Sequence, residues 1–175
     1  MIQSANVIDA KLALSHLDVE EKQTAITGAS RDFFWYSPVL KSRLDHLVAD
    51  FLVRPKDEAE VIEILKVCYA NDVAVTTRGA GTGNYGQAMP MRGGCLLHLK
   101  HMDQVTHCEP GRVIVQPGCL LKDVDAYCIP ACGHELRMFS STWATATIGG
   151  FIAGGSGGVG SVTWGSLREL GNIIR

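Results

Sequence analysis

Glycine is concentrated in two stretches of this 175-residue chain, and that limits what the chain can fold into more than any other feature. Of the 19 glycines, 14 lie between Gly79 and Gly94 or between Gly149 and Gly165. The first stretch contains Arg78-Gly-Ala-Gly-Thr-Gly-Asn-Tyr-Gly-Gln87, the second Ala146-Thr-Ile-Gly-Gly-Phe-Ile-Ala-Gly-Gly-Ser-Gly-Gly-Val-Gly-Ser161. Glycine admits positive φ and has no Cβ, so successive backbone N–H groups can converge on an anion and approach it closely. The pattern predicts two turns built for such an approach, and the diphosphate of a dinucleotide is a natural occupant.

Composition narrows the class. With 46% hydrophobic and 19% charged residues the chain can bury a core and is too apolar to be disordered. Sixteen Lys and Arg against 18 Asp and Glu give a net charge of −2, without the basic face that phosphate-backbone binding requires, so nucleic acid is not an expected partner. The first ten residues lack a basic leader followed by an apolar core, and no run reaches the roughly 18–20 apolar residues of a membrane span. A soluble, cytoplasmic protein is expected. The six cysteines, Cys68, Cys95, Cys108, Cys119, Cys128 and Cys132, lie in apolar surroundings without C-x-x-C spacing and read as reduced core thiols rather than a disulfide or zinc framework.

Residues 1–50 read as a helical or irregular lead-in, with Ile8, Leu12, Leu14 and Leu17 as a weak stripe. Asp57 followed by Glu60 has capping-box spacing, and Val61, Ile62, Leu65 and Cys68 predict a helix of about 14 residues ending near Asn71 with one face buried. Strands are expected at Val73–Thr77, running into the first glycine stretch, at Cys95–Leu99 and at Val113–Gln116. A short helix is expected from Leu120 or Leu121 to Tyr127, before a turn at Pro130 and Gly133, and a further strand from Gly171 towards Arg175. The order predicts a mixed α+β arrangement.

Several familiar sites are excluded. A Rossmann fingerprint needs a helix directly after its glycines, and Pro90 with Gly93-Gly94 leaves no room for one. Neither stretch ends in the Gly-Lys-Ser/Thr of a nucleoside triphosphatase loop. His134-Glu135 resembles the start of a metalloprotease helix, but Met138 stands where the second histidine would. His98, His101 and His107 have no accompanying carboxylate set, so no metal site is expected. Tyr85, Trp143 and Trp164 flank the glycines and read as core-packing rings, with stacking on a planar ligand as the alternative. Arg78 faces either a phosphate or an acid at the strand end.

The string from Val75 to Gln87 with Pro90 and Gly93-Gly94, then Val115-Gln-Pro-Gly118, Ser140-Ser141 and Ala146-Thr-Ile-Gly-Gly150, resembles the FAD-binding domain of the vanillyl-alcohol oxidase and p-cresol methylhydroxylase family. Within that family it is most similar to the D-lactate dehydrogenase and glycolate oxidase flavin subunits, over residues 52–175. The resemblance implies an α+β fold of two subdomains with FAD between them, a lead-in over 1–50, and an FAD-binding domain over 51–175 that is incomplete at its C-terminus and lacks the cap domain. It implies that Arg78, Gly79, Ala80, Gly81, Thr82, Gly83, Asn84, Gly86 and Gln87 line the diphosphate loop, with Pro117 and Gly118 nearby. Ser141, Thr147, Gly149, Gly150 and Gly154 would form a second wall near the ribityl chain and ring.

Thr82 stands where family members that tether FAD through this loop carry histidine, which implies non-covalent FAD. Phe151-Ile-Ala-Gly-Gly-Ser156 replaces the Asn-Ala-Thr-Asn found in many lactate and glycolate relatives. The function implied is FAD-dependent oxidation of a hydroxyl-bearing small molecule, a 2-hydroxy acid such as lactate or glycolate, or an alcohol, by hydride transfer to flavin. No residue qualifies as the general base. The alternative is a non-catalytic flavin-binding or interaction subunit of a larger complex.

Overall fold

The computed structural model describes residues 4–33, 37–155 and 157–167, so the strand expected from Gly171 lies outside the described residues. The chain divides into two compact units, one up to His101 and one from Met102.

The first unit is a four-stranded sheet with helices on both faces. Helix α1 (Ala5–Ala13) starts at Ser4, whose side chain accepts the Val7 N–H, and buries Val7 and Ala10. Leu14, just past its end, is also buried, whereas Ile8 and Leu12 are 53% and 72% exposed. The buried stripe is therefore Val7, Ala10 and Leu14, which fall three and four apart on the face that meets the sheet. Strand β1 (Val19–Glu20), helices α2 (Gln23–Ala29) and α3 (Pro38–Leu44) and strand β2 (Phe51–Val53) follow, so the lead-in is largely ordered secondary structure. Helix α4 (Glu58–Ala70) crosses from β2 to β3 (Val75–Arg78), and β4 (Cys95–His98) lies between these two strands and parallel to both. With β1 antiparallel on β2, the order is β1-β2-β4-β3.

Alternation along the central strands builds the core. Phe51, Val53, Cys95 and Leu97 face α1 and α4, while Leu52 and Leu96 meet Ile26 of α2 and Ala49. Covered on both faces, these strands read as unbroken apolar runs rather than as an alternating pattern. Asp57 caps α4 by accepting the Glu60 N–H at 2.9 Å, and the Glu60 carboxylate reaches back to the Lys56 N–H at 2.8 Å. This is the expected capping exchange moved one residue upstream at its return end. Helix α4 buries Ile64 and Cys68, with Val61 packed against the same core, and leaves Ile62 and Leu65 at 44% and 45% exposure, so Val61 and Cys68 of the expected stripe meet the core and Ile62 and Leu65 do not.

The second unit opens with the antiparallel hairpin β5 (Val105–Glu109) and β6 (Arg112–Val115), with a register shift between Val105 and His107. Helix α5 (Leu121–Cys132) packs Leu121, Val124 and Cys128 into this unit's core with Met138, Ile148 and Phe151. It continues through Pro130 instead of stopping at Tyr127 and closes at Gly133 with φ 70°. Pro130 sits in the last turn, where one lost hydrogen bond is tolerated. Short helices α6 (Ile148–Ala153) and α7 (Ser161–Trp164) complete the unit.

Candidate functional site

In the first unit, strand β3 delivers the chain into the glycine loop at Arg78, which lies opposite His98 of β4. The Arg78 side chain is buried, and its guanidinium donates to the backbone carbonyls of Arg31 and Ala80. Burial lowers the Arg78 pKa and the nearby Asp32 carboxylate opposes that shift. The guanidinium thus gives hydrogen bonds to those two carbonyls, and Asp32 is the acid whose charge it feels.

Asp32, itself buried, organises the far end of the loop. Its Oδ2 accepts the Gly86 N–H at 2.9 Å and the Gln87 N–H at 3.1 Å. The Gln87 side chain turns back to accept the Tyr85 N–H at 3.0 Å, and the Gly83 carbonyl accepts the Phe33 N–H at 2.7 Å. The loop is therefore pinned at its start by Arg78, at its middle by Phe33 and at its end by Asp32. Between these pins, no acceptor among the described residues takes the backbone N–H of Gly79, Ala80, Gly81, Thr82, Gly83 or Asn84. The stretch from Gly79 to Gly83 is half-buried. A run of amides open to solvent and not taken by protein acceptors is a ready site for an anion.

At Gly81, φ is 70°, and a Cβ would lie 2.2 Å from the Arg78 guanidinium, which its carbonyl partners hold in place. Glycine is thus required both by conformation and by space. A cavity of about 440 Å³ adjoins Ala80 and Gly81, and Arg31, Lys41 and Asp45 also line it. Arg31 pairs with Asp45 at 3.1 Å, yet its solvent-inaccessible Nε has no acceptor among the described residues. The positive charge of Arg31 on the wall of this cavity, near the loop amides, suits the phosphate oxygens of a dinucleotide. Arg31, Asp32 and Lys41 fall in the part of the chain read as a lead-in, and nothing in their local spacing marks them. Beyond the loop, His98 is held neutral, its pKa lowered to about 4 chiefly by burial and then by the charge of Arg78.

The second unit holds the other expected residues. Gly149 lies against Pro117: its N–H donates to the Pro117 carbonyl at 2.9 Å, and a Cβ there would meet Pro117 atoms at 2.6–3.0 Å. Gly118 is buried, donating to the Met102 carbonyl at 2.8 Å. The buried Thr147 hydroxyl caps α6 by accepting the Gly150 N–H at 3.3 Å, and Gly154 closes that helix. Ser141 is exposed. Much of this stretch's glycine content is explained by close backbone packing within the unit, since a Cβ at Gly158 or Gly160 would lie 2.0 Å from the carbonyl of Phe139 or Arg137.

The three aromatic rings differ. Tyr85 is 72% exposed. Trp143 donates its indole N–H to Asp125 at 2.8 Å and packs beside Phe139 at 6.4 Å between centroids. Trp164 stacks under the Arg137 guanidinium at 4.7 Å.

Among the described residues no helix is long and apolar enough to cross a membrane. The family described as FAD binding domain matches residues 49–171. D-lactate dehydrogenase of Archaeoglobus fulgidus is 35% identical over 120 residues, covering 67% of this chain and 26% of that protein. Glycolate oxidase subunit GlcD of Escherichia coli K12 is 35% identical over 118 residues, 65% of this chain and 23% of that one. Mitochondrial D-2-hydroxyglutarate dehydrogenase of Rattus norvegicus is 31% identical over 119 residues, 67% and 22%. The chain thus spans about a quarter of the length of these curated relatives. Among solved structures, an alkyldihydroxyacetonephosphate synthase aligns with a TM-score of 0.80 at 16% identity, over 95% of this chain and 32% of that one. A p-cresol methylhydroxylase with substrate bound aligns at 0.64 and 18% identity, over 84% and 28%. The glycine loop on its parallel sheet, the family match and the shared fold lead to one conclusion: the chain belongs to the FAD-binding domain family, with the fold of the vanillyl-alcohol oxidase and p-cresol methylhydroxylase flavoproteins.

Proposed function

We propose that this chain is the FAD-binding portion of an FAD-dependent oxidoreductase that oxidises a small hydroxyl-bearing molecule, a 2-hydroxy acid of the lactate or glycolate type. The observation that carries the reading is the run of N–H groups from Gly79 to Asn84 with no acceptor among the described residues, half-buried as far as Gly83, beside a cavity lined by Ala80, Gly81 and Arg31. A diphosphate carries about two negative charges, and each charge-assisted hydrogen bond to it contributes about 1.5–3 kcal/mol. A few such bonds exceed the roughly 1–2 kcal/mol per residue needed to fix the loop backbone, part of which Arg78, Phe33 and Asp32 have already met.

Bound FAD supplies a hydride acceptor, chemistry no side chain can provide. The work of this chain is positioning. Arg78 and Asp32 hold the loop open and Gly81 lets its backbone bend. Thr82 occupies the place from which a histidine would bond to the flavin, so we assign a non-covalent cofactor. The 2-hydroxy acid class is supported by the names of the lactate, glycolate and hydroxyglutarate relatives.

Acid precipitation after reconstitution with FAD tests the attachment: flavin is expected in the supernatant, and flavin remaining with the pellet would overturn it. In the enzyme that carries this chain, anaerobic addition of D-lactate or glycolate is expected to bleach the flavin. Failure of both, with bleaching by another alcohol, would overturn the substrate class alone.

A further inference from the structure

Three cysteines absent from the site above converge in the second unit. Cys128 and Cys132 stand one turn apart on α5, and both face Cys108 of β5. Their three sulfur atoms all lie within 4.8 Å of one another. The fourth cysteine of this unit, Cys119, is 1% exposed and outside the group.

The arrangement differs from ordinary core thiols in two respects. Cysteine is among the most buried residue types, yet Cys108 and Cys132 are only half-buried while Cys128 closes the group from the core side. Cys108 and Cys132 thus stand at the edge of the core rather than inside it. Three thiols also exceed what a disulfide uses, and three sulfurs are the donor set that soft cations prefer. A zinc ion at about 2.3 Å from each of three sulfurs in tetrahedral geometry requires them about 3.8 Å apart. Closing from 4.8 Å to that spacing needs a movement of about 1 Å, within the reach of Cys χ1 adjustments.

We propose that Cys108, Cys128 and Cys132 form a three-thiolate site for a thiophilic cation with a filled d shell, Zn2+ or Cu+, whose fourth position opens to solvent. On binding, three S–H bonds break, three metal–sulfur bonds form and up to three protons pass to solvent, with no change in oxidation state. The site uses no residue of the glycine loop and does not rest on the proposed flavin chemistry.

Cadmium is the probe, because its thiolates absorb in the ultraviolet. The chain, fully reduced with a phosphine and kept anaerobic, is titrated with CdCl2. A sulfur-to-cadmium band saturating at one ion per chain and displaced by Zn2+ is expected. Cys108→Ser and Cys132→Ser should each weaken binding by on the order of a hundredfold. Alkylation mapping on the unsubstituted chain covers the case in which a variant misfolds: labelling of Cys108 and Cys132 should slow about tenfold when the metal is present. Absence of the band, its persistence in Cys108→Ser and Cys132→Ser, or protection that falls on Cys68 and Cys95 instead would each overturn the proposal.

Discussion

The Asp32 carboxylate accepts the backbone N–H of Gly86 at 2.9 Å, and with the Gln87 N–H on the same oxygen it fixes the end of the glycine loop from 54 residues upstream. A buried acid is thus spent on loop geometry, and the amides it takes are the two at the loop's exit. The six from Gly79 to Asn84 remain without an acceptor among the described residues. Replacing Asp32 with Ala leaves two N–H groups without their carboxylate and Arg78 without its neighbouring charge. A loss of about 1–3 kcal/mol in urea unfolding is expected, together with weaker FAD uptake. Asp32→Asn, which keeps one acceptor oxygen, should fall between.

Gly81→Ala separates loop shape from global stability. The substitution forces a Cβ into left-handed backbone at roughly 1–2 kcal/mol and against the pinned Arg78 guanidinium. Stability should drop by about that amount while FAD affinity falls further, since the amides lose their alignment. Equal affinity for FAD in the variant and the parent, by fluorescence titration, would show that the loop does not grip the cofactor.

His98 gives a pH signature. Its folded pKa is lowered to about 4 from the ordinary 6.5, so between these values the unfolded chain binds the proton more readily than the folded one. Its contribution to stability is complete above pH 6.5 and is lost as pH falls towards about 4. In His98→Gln, stability measured across this window should fall less steeply on acidification than in the parent. Parallel curves would show that His98 is not a buried neutral imidazole.

In the second unit, Trp143 is tied to Asp125, whose other oxygen accepts the Leu136 N–H at 2.8 Å. Trp143→Phe removes the indole donor from a buried carboxylate and should cost about 1–3 kcal/mol in thermal unfolding. If the ring serves packing rather than flavin stacking, the visible spectrum of the reconstituted chain should be unchanged in this variant.

What the sequence made legible follows from which interactions are local. The cap at Asp57, the strand running into Arg78 and the glycine loop all depend on residues within a few positions of one another. Strands β1 and β2 did not show because they have two and three residues and owe their existence to pairing across the sheet. The face of α4 is legible at Val61 and Cys68, which meet the core, but Ile62 and Leu65 are as apolar as Ile64, and only the partner surface decides between them. Asp32 and Arg31 were silent for the same reason, since they meet the loop only after the chain has folded. The thiol group was half visible: Cys128 and Cys132 at a four-residue spacing share a helix face, but Cys108 joins them only through the hairpin.

Everything proposed for the flavin depends on the amides of the Gly79–Asn84 loop binding the FAD diphosphate. The most direct measurement is flavin retention after incubation with FAD and gel filtration, with the parent chain and Gly81→Val run side by side and folding of each confirmed by circular dichroism. The parent is expected to elute yellow and the folded variant colourless. A folded parent that elutes colourless, or a variant that retains as much flavin as the parent, would contradict that binding.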